Sequence, residues 1–343
     1  MSNNTVTPDS AQFTVEEYLT EREMSYLPVL LVEGSDDNIF FQLIKDELIQ
    51  MLGTDELEKL EQLSCIEIDT AAMIKSPEDS VLGNREKVEY ICQSADSIID
   101  FAGLLLGFVD REFRAFNIDE HIQDQLTTHR TIGRLIWSRG HSVENYLFEF
   151  SILRDELRNL GISPNYSVQN SLKIFEPNFN RIINTACSIS LAARDNDLIK
   201  LVESSLDSSV FEFTGNDIQF SLDKWSNILS SKKRLDDSRR QSLLESLNSY
   251  LVTTTQGCDI QTLRWICHGH IGLSLIWAAF EACIIRTCET RNVPNGQRKI
   301  RRTDSTDRFI KFSSQWIKQQ IRIPNCIHSM PFQCFQILGF IED

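Results

Sequence analysis

The chain has 343 residues, 41% of them hydrophobic, enough to bury the core of one large domain or two ordinary ones. No stretch approaches the roughly 18 to 20 unbroken apolar residues of a membrane span, and residues 1–11 carry neither a basic n-region nor an apolar h-region. The sequence therefore predicts a globular, cytoplasmic protein without membrane contacts. A net charge of -15 argues against a protein that coats nucleic acid unaided.

Residues 1–23 read as a polar leader. Val29 to Val32 is a short apolar run bounded by Pro28 and Gly34, as a fully buried parallel strand should be. Ser35-Asp36-Asp37 then supplies a helix start, and Ile39, Phe40, Leu43, Ile44, Leu48 and Met51 recur at helical spacing until Gly53. Cys65 to Ile68 alternates like a second strand, Asn84 to Phe101 has one apolar helical face, and Gly103 to Val109 is a strongly apolar third strand. A polar helix or loop leads to a fourth strand over Ile132 to Trp137. Strands alternating with helices imply a mostly parallel sheet covered by helices, an α/β domain over residues 24–150.

From residue 151 to 343 the pattern becomes mainly helical: Ser151 to Leu160, Ile182 to Ser205, Ser238 to Leu251, Cys258 to Cys288 and Asp307 to Gln320. Pro164, Pro177, Pro294 and Pro324 punctuate these segments, and residues 207–220 suggest a short hairpin.

The nine cysteines include no Cys-x-x-Cys pair and read as reduced core thiols. Cys267-His268-Gly269-His270 invites a metal reading, but no partner pair stands at a second ligand spacing.

Charge is unevenly spread. Residues 1–80 hold 18 Asp and Glu against 4 Lys and Arg, a net of -14, whereas residues 281–320 hold 4 acids against 9 bases, a net of +5. Arg286, Arg291, Arg298, Lys299, Arg301 and Arg302 flank Val293-Pro294-Asn295-Gly296, a basic loop with helical shoulders that reads as either a solvated face or a nucleic-acid groove. A second basic cluster, Ser231-Lys232-Lys233-Arg234 with Arg239-Arg240, is interrupted by Asp236 and Asp237. No base-reading module and no P-loop is present, so any ATPase activity must come from a partner.

Glu33 ends the first strand and Asp110-Arg111-Glu112 ends the third. Open α/β sheets bind ligands at the carboxyl ends of their strands. Acids gathered there repel one another unless a cation or proton offsets them, and Mg²⁺ or Mn²⁺ suits such oxygen donors. Singly, each of these acids reads as a solvated cap after a strand.

Val32-Glu33-Gly34 and Asp110-Arg111-Glu112 resemble the signature of the Toprim family, a single Glu followed by Asp-x-Asp, with Glu112 here in place of the second Asp. Glu33 to Asp37, Val109 to Phe113 and Ser142 to Leu147 are more specifically similar to a Toprim subgroup related to the overcoming-lysogenization-defect (OLD) nucleases but lacking their fused ATPase. That subgroup includes the effector nuclease of the PARIS anti-phage system. The likeness covers residues 24–150 and implies a metal-dependent endonuclease, toxic to the cell during abortive infection. It further implies a homodimer that is restrained by a separate ABC-type ATPase and directed at transfer RNA. An OLD-like DNA nuclease and a non-catalytic Toprim-fold regulatory module are the alternatives, the second favoured by Glu112.

Carried over by residue, the likeness makes Glu33 the essential carboxylate and Asp110 and Glu112 metal ligands. Asp37 resembles the acid used for a second metal, or it stabilises the helix dipole. Glu144 either reaches the same cleft or begins the next helix. Arg139 and His141 are candidates for phosphate orientation, and Arg111 for phosphate or a neighbouring acid. A catalytic Lys from a later segment is implied, with Lys224, Lys299 and Lys311 as candidates.

Overall fold

The computed structural model describes residues 13–52, 56–77, 81–98, 103–159, 168–289 and 305–339, the side chains of 288 and 289 apart. In chain order its elements are α1 (Val15–Ser25), β1 (Val29–Val32), α2 (Ser35–Met51), α3 (Leu57–Cys65), β2 (Glu67–Thr70), α4 (Asn84–Asp96), β3 (Leu105–Val109), β4 (Phe116–Ile118), β5 (Ile122–Asp124), β6 (Arg130–Ile132) and β7 (Leu135–Trp137). A 3₁₀ turn, Val143–Leu147, leads to α5 (Phe150–Asn159), α6 (Val168–Asp195), α7 (Ile199–Glu203), β8 (Phe211–Thr214), β9 (Asp217–Phe220), α8 (Leu222–Ser231) and α9 (Asp237–Gln256). The chain closes with α10 (Ile260–Ile266), α11 (Gly269–Glu289), α12 (Ser305–Gln320) and α13 (Gln333–Ile337).

These elements form two compact units. One comprises Met1–Asp110, His129–Ser138 and Ile317–Asp343; the other comprises Arg111–Thr128 and Arg139–Trp316. The chain passes between them several times, whereas the sequence suggests a single cut near residue 150.

The first unit is α/β. Its five-stranded sheet has the order β2-β1-β3-β7-β6. β1 pairs in parallel with both β2 and β3, β3 pairs in parallel with β7, and β6 alone runs antiparallel. All four residues of β1 and all five of β3 are buried, which explains their unbroken apolar runs. The chain leaves β1 toward β2 on one side and returns to β3 on the other, so the order reverses between β1 and β3. That reversal is the topological switch point, where the strand ends open a crevice.

α2 buries Phe40, Phe41, Ile44 and Leu48 on one stripe. α4 buries Val88, Ile91, Cys92 and Ala95, and it sits so close to β3 that a methyl group on Gly107 would collide with the Cys92 and Val88 side chains. α1 lies within the expected leader and begins earlier than the sequence reading of residues 24–150 allows. Thr14 and Glu17 make its reciprocal capping box, and the buried Tyr18 donates its hydroxyl to Asp69 Oδ2 at 2.9 Å. From residue 317 onward the chain rejoins this unit, with Phe335 packed 6.3 Å from Phe41.

The second unit is mainly helical, with two small hairpins. α6 is its central helix, packed against α9 and α11. Phe175 and Phe280 meet edge to face at 5.5 Å, Ser171 and Thr287 share a hydrogen bond of 2.9 Å, and Ser188 and Thr254 share one of 2.8 Å. Pro177 lies inside α6 rather than ending it. The buried Asn178 beside it donates to the carbonyl of Ile174 in the same helix and to that of Asn216 in the β8–β9 turn. The expected hairpin is present as β8–β9, turning at Gly215 with φ +64°. The span Cys258 to Cys288 is broken into α10 and α11 near Cys267.

Residues 269–287 of α11 are long and apolar enough to cross a membrane by length and composition, with mean hydropathy 1.3. Sixty-one per cent of that window is buried inside the protein, as in a core helix. Eight cysteines among the described residues are free thiols. Burial pushes the Cys92, Cys267 and Cys283 thiols up to about 12, so they are protonated core groups.

Candidate metal centre

Two sequence-predicted acids meet at the carboxyl edge of the first unit's sheet. Val32 of β1 stands opposite Phe108 of β3 in the parallel register. The next residues along each strand bring Glu33 to the end of β3, where its Oε1 accepts the Asp110 backbone N–H at 2.7 Å. Glu33 and Asp110 thus belong to one rigid edge although 77 residues separate them.

Asp37 is buried in the first turn of α2, and its Oδ2 accepts the Gly34 N–H at 3.1 Å. The carboxylate therefore caps the helix, where the backbone dipole favours negative charge. It also fixes the Glu33-Gly34 turn from the helix side. Two oxygen-only side chains at the switch point, held by backbone bonds, fit a hard divalent cation.

Glu112 lies on the second unit, in left-handed conformation with φ +53°. Its N–H donates to the His141 carbonyl at 2.8 Å. Left-handed backbone costs a non-glycine residue about 1–2 kcal/mol, and such strain persists where the surroundings impose it. Arg111, beside it, is wholly buried. Its guanidinium donates to the carbonyls of Arg114 (2.8 Å), Arg139 (3.0 Å) and Ala115 (2.7 Å) and to Asp124 Oδ1 (2.6 Å), and it lies 3.7 Å over the Phe116 ring. Of the two partners suggested by sequence, phosphate or a neighbouring acid, the structure supplies the acid.

Burial lowers the Arg111 pKa, and Asp124 works against that shift. Asp124 also pairs with Arg139 through its other oxygen, making an Arg-Asp-Arg clamp that holds the loop carrying Glu112. Arg139, in turn, donates its backbone N–H to the Tyr146 hydroxyl at 3.2 Å.

The Ser142-to-Leu147 motif forms the buried 3₁₀ turn. Asn145 accepts the Ser142 N–H at 2.8 Å and donates to the carbonyls of Arg264 (2.5 Å) and Cys267 (2.8 Å). Glu144 is buried in this turn, its Oε1 3.5 Å from His270 Nε2. The two ligand atoms are close enough to share a metal ion. Gly269 permits this approach, since a side chain there would strike Ser142 and Glu144.

His141 is buried between Phe113 and His268, with ring centroids 4.6 and 4.7 Å away. Burial holds His268 down to about 4, assisted by His270 and opposed by Glu144, so the imidazole is neutral at pH 7. In sequence His268 and His270 have no second ligand spacing; Glu144, which meets His270, lies far upstream, and proximity in sequence gives no sign of it. Asp124 was missed for the same reason.

Lys224 donates to the Phe211 carbonyl at 3.0 Å and lies 3.5 Å from Glu212. Arg291, Arg298, Lys299, Arg301 and Arg302 lie outside the described residues. No protein-family model matches the chain, and no curated protein matches it.

Proposed function

We propose that the chain is a metal-dependent Toprim-type nuclease that hydrolyses phosphodiester bonds in transfer RNA. The observation that carries the reading is the Glu33 carboxylate, held by the Asp110 backbone N–H at the β1/β3 switch point, with Asp110 at the end of the neighbouring strand. Its support from sequence is the likeness of three motifs, those around Glu33, Asp110 to Glu112, and Glu144. The same likeness is the basis for a cytoplasmic homodimer acting as the toxic effector of anti-phage defence, held in check by an ABC-type ATPase partner.

By the sequence likeness, Glu33, Asp110 and Glu112 would hold Mg²⁺ or Mn²⁺, with Asp37 a candidate for a second ion. A bound divalent ion supplies Lewis acidity at a phosphoryl oxygen and a water of lowered pKa. The protein's own part is preorganisation. The Asp110 N–H fixes the Glu33 carboxylate, Asp37 fixes the turn that follows Glu33, and the Arg111–Asp124–Arg139 clamp fixes the loop of Glu112.

Incubation of total transfer RNA and supercoiled plasmid with wild type and Glu33→Gln, in Mg²⁺ and then Mn²⁺, tests the reading. RNA fragments made by wild type and absent with the variant are expected. Plasmid nicking without RNA loss would replace it with the OLD-like DNA nuclease. Cleavage of neither substrate by a metal-loaded protein would favour a regulatory module.

A further inference from the structure

The second unit contains a cavity of about 500 Å³ that the proposed phosphodiester site does not use. Its volume lies within the roughly 300–1,000 Å³ of small-molecule sites. α6 lines it with Asn180, Arg181 and Asn184, α9 with Thr254, and the β8–β9 hairpin with Gln219 and Phe220. Leu251 and Leu263 supply apolar surface. Among the described residues that line the cavity, Arg181 carries the sole charge. In a chain with 24% charged residues, a cavity walled mainly by apolar surface with neutral amides and hydroxyls set into it selects for a flat, uncharged body with hydrogen-bonding edges.

The amides are available to a ligand. Asn184 Oδ1 is 2.8 Å from the Thr254 hydroxyl, which orients the group and leaves its amide nitrogen without a partner among the described residues. The exposed Asn180 and Gln219 side chains likewise make no hydrogen bond to a described residue. Phe220 is held edge to face against Phe211 at 6.0 Å and Trp225 at 5.5 Å, so its ring is rigid. Arg181 makes one long bond, Nη1 to the Ile218 carbonyl at 3.4 Å, and no ion pair with a described residue.

We propose that this cavity binds one nucleotide, with the base edge on Asn184 and Gln219, the base face against Phe220 and the phosphate on Arg181. Side-chain amides carry a donor and an acceptor side by side and so match base edges. An aromatic ring supplies a stacking face for any base, and a guanidinium fork fits phosphate oxygens. A free nucleoside monophosphate and a nucleotide within a strand present the same chemistry. The inference stands apart from the phosphodiester reading, because none of these residues belongs to the carboxylate site.

Calorimetric titration of the full chain in EDTA, which prevents metal-dependent cleavage, tests it. The probes are AMP, GMP, CMP and UMP, the matching nucleosides, ribose 5-phosphate and an oligoribonucleotide. Saturable binding of at least one monophosphate or of the oligomer is expected. Gln219→Ala, at an exposed position, and Asn184→Asp should each weaken it about 10-fold, the effect of one lost hydrogen bond. Arg181→Ala should abolish the advantage of a monophosphate over its nucleoside.

Binding of the oligomer alone, weakened by the same variants, assigns the site to a nucleotide of a strand; binding of a monophosphate that the oligomer does not displace assigns it to a free nucleotide. No saturable binding of any probe, or binding equal in wild type and Gln219→Ala, overturns the proposal. Glu33→Gln, measured in parallel, should bind like wild type, so failure of the nuclease reading leaves this result intact.

Discussion

The backbone N–H of Asp110 donates to the carboxylate of Glu33 at 2.7 Å, so the residue that follows β3 holds the residue that follows β1. Each element alone ends in an acid, which is common. Parallel pairing of the two strands brings both acidic residues to one crevice. Carboxylates gathered at one strand edge are the oxygen donors that a hard divalent cation takes.

Glu33→Gln keeps an acceptor for the Asp110 N–H and removes the charge. In EDTA the variant should melt within a few degrees of wild type, because the fold keeps its hydrogen bond. Millimolar Mg²⁺ or Mn²⁺ should raise the wild-type Tm by mass action and leave the variant's unchanged. Differential scanning fluorimetry in both conditions is the check; a metal shift of equal size in both proteins would remove Glu33 from the ligand set.

Glu112→Gly relieves left-handed backbone at φ +53°. Glycine adopts this conformation without steric penalty, so urea unfolding should show a gain of about 1 kcal/mol, reduced by the added entropy of the unfolded chain. Nuclease activity should fall to background. A variant that is more stable and inactive would separate a functional carboxylate from a structural one.

Asp124→Ala removes the shared partner of Arg111 and Arg139 and strands a wholly buried guanidinium. Breaking one side of a buried ion pair costs about 3–5 kcal/mol, and a loss of that size is expected from chemical denaturation. Arg139→Ala should cost less, because Arg111 retains Asp124.

Tyr18 connects α1 to the sheet through Asp69. Burial, then the Asp69 charge, raises its pKa well above 10, with Arg22 opposing. A folded-state pKa above the unfolded value of about 10 means that the neutral phenol's stabilisation is fully present below pH 10 and is lost as pH rises through the folded pKa. The unfolding free energy should therefore fall above pH 10. Tyr18→Phe should be less stable at pH 7 by about 1 kcal/mol for the lost hydrogen bond and show a shallower alkaline decline.

The outline of the α/β sheet is legible in the chain because its signals are local. Val29 to Val32 and Leu105 to Val109 are apolar runs of strand length, Asp36 and Asp37 mark the start of α2, and Val88, Ile91, Cys92 and Ala95 repeat at helical spacing. α1 and the β4–β5 hairpin were less legible: α1 exposes much of its surface, and β4 and β5 are three residues each. Pro177 reads locally as a helix stop, yet α6 runs through it, in a helix buried along much of its length in the second unit.

By itself the sequence determined which residues end the buried strands, and hence that Glu33 and Asp110 are candidates for one edge. Only tertiary structure decided that Arg111 faces Asp124, that Asn145 joins the 142–147 turn to residues 264–267, and that Glu144 meets His270. The physical reason is range. Burial periodicity and capping act within a few residues, whereas the partner of a buried charge is chosen by packing between segments that can lie more than a hundred residues apart.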